Sequence, residues 1–230
     1  MKPRKSIVRL LWGLVIFLAL VGVAAATRRA IVLFFPATGA ASRNPAAALD
    51  TGFARNRTLT LVHIFPGFLF MILGPLQFVR RIRSRHLRFH RWSGRVFVSL
   101  GIVIGVSALA MSYTTAIGGA NETAATTLFA IIFLFDLVKA CVHIRRREIA
   151  QHREWMIRAY AIGLAVATVR PIVGVFFATS PFTHLTPKEF FGTAFWLGFT
   201  LNFIAAEAWI DYTRGMPAVV YSVAPRTGAN

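Results

Sequence analysis

Histidines and arginines set among apolar residues are what could do chemistry in this chain. The histidines are His63, His86, His90, His143, His152 and His184. Three of them, His90, His143 and His152, lie beside Arg91, Arg95, Arg145, Arg146, Arg147, Arg153 and Arg158. Two imidazoles from different helices can ligate haem iron axially, and nearby arginines can pair with its propionates. The candidates for a haem b site are therefore His63, His90, His143, His152, Arg91, Arg95 and Arg153. His63 is followed four residues on by Gly67 and His90 by Gly94, which leaves room for a flat macrocycle. The same residues could instead hold a phosphate, a lipid headgroup or a quinone carbonyl, with histidine as proton donor. His86 and His184 read as solvated loop residues.

A second set comprises Asp136, Lys139, Arg158, Arg170, Asn202 and Glu207, within or at the ends of apolar runs. Ionisable side chains there are costly and normally face a bundle interior or water. Asp136, Lys139 and His143 fall at i, i+3 and i+7, one stripe of a helix, in the Asp-before-Lys order that favours a local ion pair. Arg170 precedes Pro171, which withdraws a backbone N–H and frees a carbonyl one turn earlier. It lies 18 residues after His152, on the same helix face and roughly 27 Å further along. Depth along the helices matches Lys139 with Glu207, Asp136 with Asn202, and Arg170 with His63. Hydrolytic chemistry finds no support: there is no Gly-x-Ser-x-Gly, no His-Glu-x-x-His and no convincing carboxylate pair.

These residues need elements that hold them, and the composition says which. The chain has 230 residues, 56% hydrophobic and only 15% charged, against roughly 25% charged in soluble domains. A soluble globular domain is excluded, and so is a free nucleic-acid binder despite the net charge of +18. One cysteine, Cys141, rules out an internal disulfide framework. Six apolar runs are each long enough to cross about 30 Å of hydrocarbon: 10–26, 58–78, 96–113, 124–144, 156–178 and 190–210. The expected fold is thus all-α, a bundle of six transmembrane helices.

Eighteen of the 26 Lys and Arg residues fall on the side of the N-terminus and six on the other. The positive-inside rule then puts both termini in the cytoplasm. Basic inner loops would also attract anionic lipid. The alternative for the first run is a signal peptide, with Ala24 to Ala26 as the cleavage pattern. Organisation follows as an N-terminal helix and outer loop over 1–57, a five-helix core over 58–211 and a cytoplasmic tail over 212–230. The loop before Arg57 is expected to lie along the interface.

The stretch from His152 through Arg153, Glu154, Trp155, Met156, Ile157 and Arg158 to Tyr160, ending at Arg170, resembles a bacterial membrane-protein family, domain of unknown function 2306. His90-Arg91-Trp92-Ser93-Gly94-Arg95 carries the likeness too, as do His63, Gly74 to Phe78, Trp196, Asn202, Ala206 and Glu207. The resemblance spans about residues 58–211 and implies a helical integral-membrane fold in the bacterial cytoplasmic membrane, with no reaction attached. A weaker similarity runs to di-haem transmembrane cytochromes b through His63 and His90. Those proteins look to a histidine pair near each surface, whereas His63 lacks an outer partner here unless His184 folds in.

Three function classes stand. They are a haem- or quinone-linked electron-transfer protein using His90, His152 and His63, a small-molecule or anion carrier built on Arg170, Asn202 and Glu207, and a non-catalytic scaffold subunit. Absorption spectroscopy of the detergent-purified protein separates the first from the others. Electron transfer predicts a Soret band with a sharp dithionite-reduced α-band, lost in His90→Ala or His152→Ala; a colourless, folded preparation moves attention to Arg170.

Overall fold

In lipid each backbone N–H and C=O must be satisfied within its own segment, so long apolar runs fold as helices. The computed structural model describes residues 5–36 and 49–214, and these are helical with short connections. The helices are α1 (Lys5–Phe34), α2 (Thr51–Arg55), α3 (Arg57–Phe78), α4 (Arg80–Arg85), α5 (Leu87–Thr114), α6 (Gly119–Arg145), α7 (Ile149–Thr183) and α8 (Pro187–Arg214). Six of them, all but α2 and α4, are long and apolar enough to cross a membrane. Residues 37–48 of the loop expected to lie along the interface before Arg57, and the tail after Arg214, fall outside the described residues.

The helices overrun the apolar segments read from sequence. α1 continues through Arg28 and Arg29 to Phe34, and α5 begins at Leu87, so His90 stands on its first turn instead of in a loop. Hydropathy marks only the hydrocarbon-facing part of a helix; backbone hydrogen bonding carries it further. At 1.5 Å per residue the 35 residues of α7 span roughly 50 Å. His184 closes α7 in the left-handed region, at φ 56°.

α7 packs against α1, α6 and α8, while α3 lies between α1 and α5, and α6 also meets α8. An aromatic centre ties these neighbours together. Phe70 of α3 stacks on Phe97 of α5 at 4.2 Å and meets the edge of Phe133 of α6 at 5.9 Å. Tyr160 of α7 closes the group, 5.9 Å from Phe70 and 6.0 Å from Phe97. Small residues make the approach possible. A Cβ on Gly163 would stand 2.5 Å from the Phe70 ring. On Gly198 it would meet the Val169 side chain at 2.5 Å and that residue's backbone at 3.2 Å. Such close contacts are how helices associate where lipid offers no hydrophobic contrast.

Gly198→Leu is accordingly expected to force α7 and α8 apart and to destabilise the bundle by about 1–3 kcal/mol. Gly13→Leu, at a position with nothing within 4 Å, is expected to leave stability unchanged. Thermal unfolding of both variants in one detergent checks the contrast.

Candidate functional site

Two polar regions occupy opposite ends of the bundle: one on the side of α2, the other on the side of α4. On the α2 side the six long helices line a cavity of about 200 Å³. Its walls are largely apolar, with Phe129, Phe133, Phe195 and Phe199 among them, and Ala25, Ala26, Gly67, Gly105, Ala108 and Gly163 supply the space. Seven polar side chains interrupt this lining: Arg29, His63, Ser112, Thr115, Glu122, Thr126 and Arg170.

Each charged group there has a different status. Arg29 and Arg28, successive residues of α1, share the carboxylate of Asp50; Arg28 holds it at 2.9 Å. The Arg29 guanidinium also lies 3.8 Å above the Phe53 ring of α2. Phe53 is itself part of the cavity wall, so Asp50 and Phe53 fasten the short helix over the cavity. Glu122, in the first turn of α6, accepts the Gly118 N–H at 2.6 Å and so serves its own helix start. Arg170 lies within electrostatic reach of Arg28, Glu122 and Asp50, yet has no hydrogen bond or ion pair among the described residues. Three guanidiniums thus face two carboxylates, and the one left without a direct acceptor borders the cavity. Pro171 withdraws the N–H that the Ala167 carbonyl would otherwise receive, and Ala167 lines the same wall.

His63 of α3 lines the same cavity. Its Nδ1 lies 2.9 Å from the Ser107 hydroxyl of α5. Ser107 in turn donates to the Val103 carbonyl at 2.6 Å.

On the α4 side polar groups pair instead of surrounding a space. Arg158 of α7 donates to both oxygens of Glu207 of α8, at 2.5 and 2.9 Å, and its guanidinium sits 4.7 Å from the Trp155 ring. Arg153 donates to Thr213, and Glu154 accepts from Arg214 at 2.8 Å. Arg153, Glu154 and Arg158 therefore fasten α7 to α8. Glu207 is matched with Arg158 and not with Lys139, whose ammonium lies 5.4 Å over Trp155. Asp136 is 1% exposed with Oδ2 unpartnered, near Arg158 and Glu207. Asn202 donates to Thr168 at 2.7 Å, so it too has a partner other than the one depth suggested. Neither Asn202 nor Glu207 joins Arg170 at the cavity. Rotation about each helix decided these pairings; depth alone could not.

Three of the histidines read as haem candidates, His90, His143 and His152, meet near α4. His143 Nδ1 is paired with Glu148, and its ring stacks parallel on Trp155 at 6.4 Å. His152 donates from Nδ1 to the Ala140 carbonyl at 2.9 Å. His90 lies within electrostatic reach of His152, and its buried Nδ1 has no partner. Gln77 Oε1 stands 3.2 Å from where a Cβ on Gly94 would be, held by its amide's bond to Ser93, so the face beside His90 is filled. Arg91 and Arg95 point to the surface. The cavity on the other side is below the roughly 300–1,000 Å³ of pockets for larger ligands and has one histidine in its wall. His184 is exposed and does not complete a pair with His63. Among the described residues no three His, Cys, Asp or Glu side chains gather as a metal ion would require.

Sequence reading missed Arg29, Asp50, Glu122 and Ser107. Arg29 counted as loop charge because the hydropathy of α1 fades before its helix ends. Glu122 had a legible signal, an acid in the first turn after Gly118-Gly119; the meeting of Ser107 with His63 had none.

Six spanning helices around a polar-ended cavity define a polytopic α-helical membrane protein. The chain belongs to the family described as predicted membrane protein, DUF2306, whose model matches residues 60–210. No curated protein and no solved structure matches it.

Arg158→Gln and Glu207→Gln are each expected to destabilise the α7–α8 pair. Because the two groups touch, the double variant should cost less than the two singles together, with a coupling of about 0.5–3 kcal/mol. Unfolding titrations of the four proteins measure it.

Proposed function

We propose that the protein binds small anions inside the membrane, as a carrier or receptor, with Arg170 as the anchoring cation. The observation that carries this reading is a guanidinium bordering a mostly apolar cavity with no direct acidic partner among the described residues. A guanidinium stays protonated and is held in lipid only against an acceptor. A carboxylate or phosphate entering the cavity supplies one. The apolar walls suit an organic body behind that anionic group better than a bare inorganic ion.

The setting we propose is a bacterial cytoplasmic membrane with both termini inside. Arg80, Arg81, Arg83 and Arg85 of α4 then meet the inner leaflet, where each basic residue near anionic lipid contributes about 1 kcal/mol. The cavity opens toward the outer side, beneath α2. Electron transfer through haem or quinone draws no comparable support from the arrangement of His90, His143 and His152.

Hexanoate serves as a probe for protein reconstituted in nanodiscs. Wild-type protein is expected to bind it by calorimetry and to gain thermal stability. Arg170→Gln should weaken binding by about 1.5–3 kcal/mol, the worth of a charge-assisted hydrogen bond, without changing the unliganded melting temperature by more than a few degrees. Equal affinity in the two proteins would refute the assignment.

A further inference from the structure

His63 adds a second demand on whatever fills this cavity. The Ser107 hydroxyl has one hydrogen, and it is directed to the Val103 carbonyl at 2.6 Å, with the Ile104 carbonyl at 3.1 Å sharing it. Towards His63 Nδ1, 2.9 Å away, Ser107 can therefore only accept. With the Ser107 hydrogen on the Val103 carbonyl, the imidazole places its own hydrogen on Nδ1. In the neutral ring the other nitrogen, Nε2, is then a lone pair. Nε2 has no partner among the described residues, and the ring lines the same cavity as Arg170, within its electrostatic reach. Gly67, one turn along α3 and also in the wall, has nothing within 4 Å of where a Cβ would be, so the space beside the ring is open.

The cavity thus presents a cationic donor from one wall and a fixed acceptor from another. A ligand that is only an anion satisfies the guanidinium and leaves Nε2 without a donor from protein or ligand, so a hydroxyl placed there adds a hydrogen bond. We infer that the ligand class is an organic anion that also carries a hydroxyl group, a hydroxy acid, with Arg170 binding the acid group and His63 Nε2 accepting from the hydroxyl. Ser107 acts as a positioning residue by fixing the tautomer. The inference rests on the anion reading of the cavity and narrows it. It also accounts for a histidine placed deep in an apolar helix with one nitrogen tied to a neighbouring helix and the other bare.

Hexanoate, 2-hydroxyhexanoate and 6-hydroxyhexanoate, titrated calorimetrically into nanodisc-embedded protein, provide the test. At least one hydroxylated probe should bind wild-type protein about tenfold or more tightly than hexanoate. His63→Phe, which keeps a ring of similar size without the acceptor, should bind all three alike, while Arg170→Gln should weaken all three together. If the three probes bind wild-type protein equally, or if the preference survives in His63→Phe, the hydroxy-acid inference is overturned and the anion reading stands. If none binds, or if Arg170→Gln changes nothing, the anion reading falls and takes this inference with it. Should His63→Phe fail to fold, ¹⁵N NMR of the unmodified protein labelled at histidine decides. A His63 ring protonated on Nδ1 supports the inference, and one protonated on Nε2 overturns it.

Discussion

A charge placed within an apolar slab has to be answered inside the slab, because no water is there to answer it. Much of the placement of polar residues in this bundle follows from that constraint. Where two helices run side by side, Arg158 meets Glu207, and the charge is cancelled at the seam. Where six helices part around a space, Arg170 is left without a direct acceptor, and the space takes its character from that residue. The same residue type therefore has two roles, decided by whether a carboxylate shares its depth and its side of the helix.

Packing makes the distinction possible. Val169 pressed against Gly198 and Phe70 against Gly163 bring α7 close to α8 and α3, so the helices cannot slide to let Arg170 reach a distant acid. The aromatic centre at Phe70, Phe97, Phe133 and Tyr160 separates the two polar regions. Phe133 belongs to both sides of that boundary: it lines the cavity, and Asp136 lies one turn further along the same helix. Asp136, with an unpartnered oxygen, belongs to the α4-side group and not to the cavity.

The architecture was legible because lipid imposes length and polarity on each segment separately. Six apolar runs need no knowledge of one another to be counted, and six spanning helices are what the fold contains. Helix ends were less legible: Arg28 and Arg29 continue α1 because backbone hydrogen bonds outlast the apolar composition. The site was legible residue by residue but not as a set. Arg170 and His63 stood out as polar residues in apolar helices, yet their sharing of one cavity depends on how α3 and α7 are rotated. Ser107 resembles any other serine of a membrane helix until His63 is seen beside it. Lys139 was assigned to Glu207 by depth, and Arg158 holds that carboxylate because it lies on the face of α7 that α8 covers.

The cover over the cavity is held at the Asp50 carboxylate, at the Phe53 ring and at the Phe53 carbonyl, which accepts from the Thr60 hydroxyl at 3.0 Å. Asp50 is shared by Arg28 and Arg29, and the Phe53 ring is held against Arg29. Arg28 and Arg29 both draw on that carboxylate, so the joint between α2 and α1 is an ionic one, which salt in the bathing solution weakens.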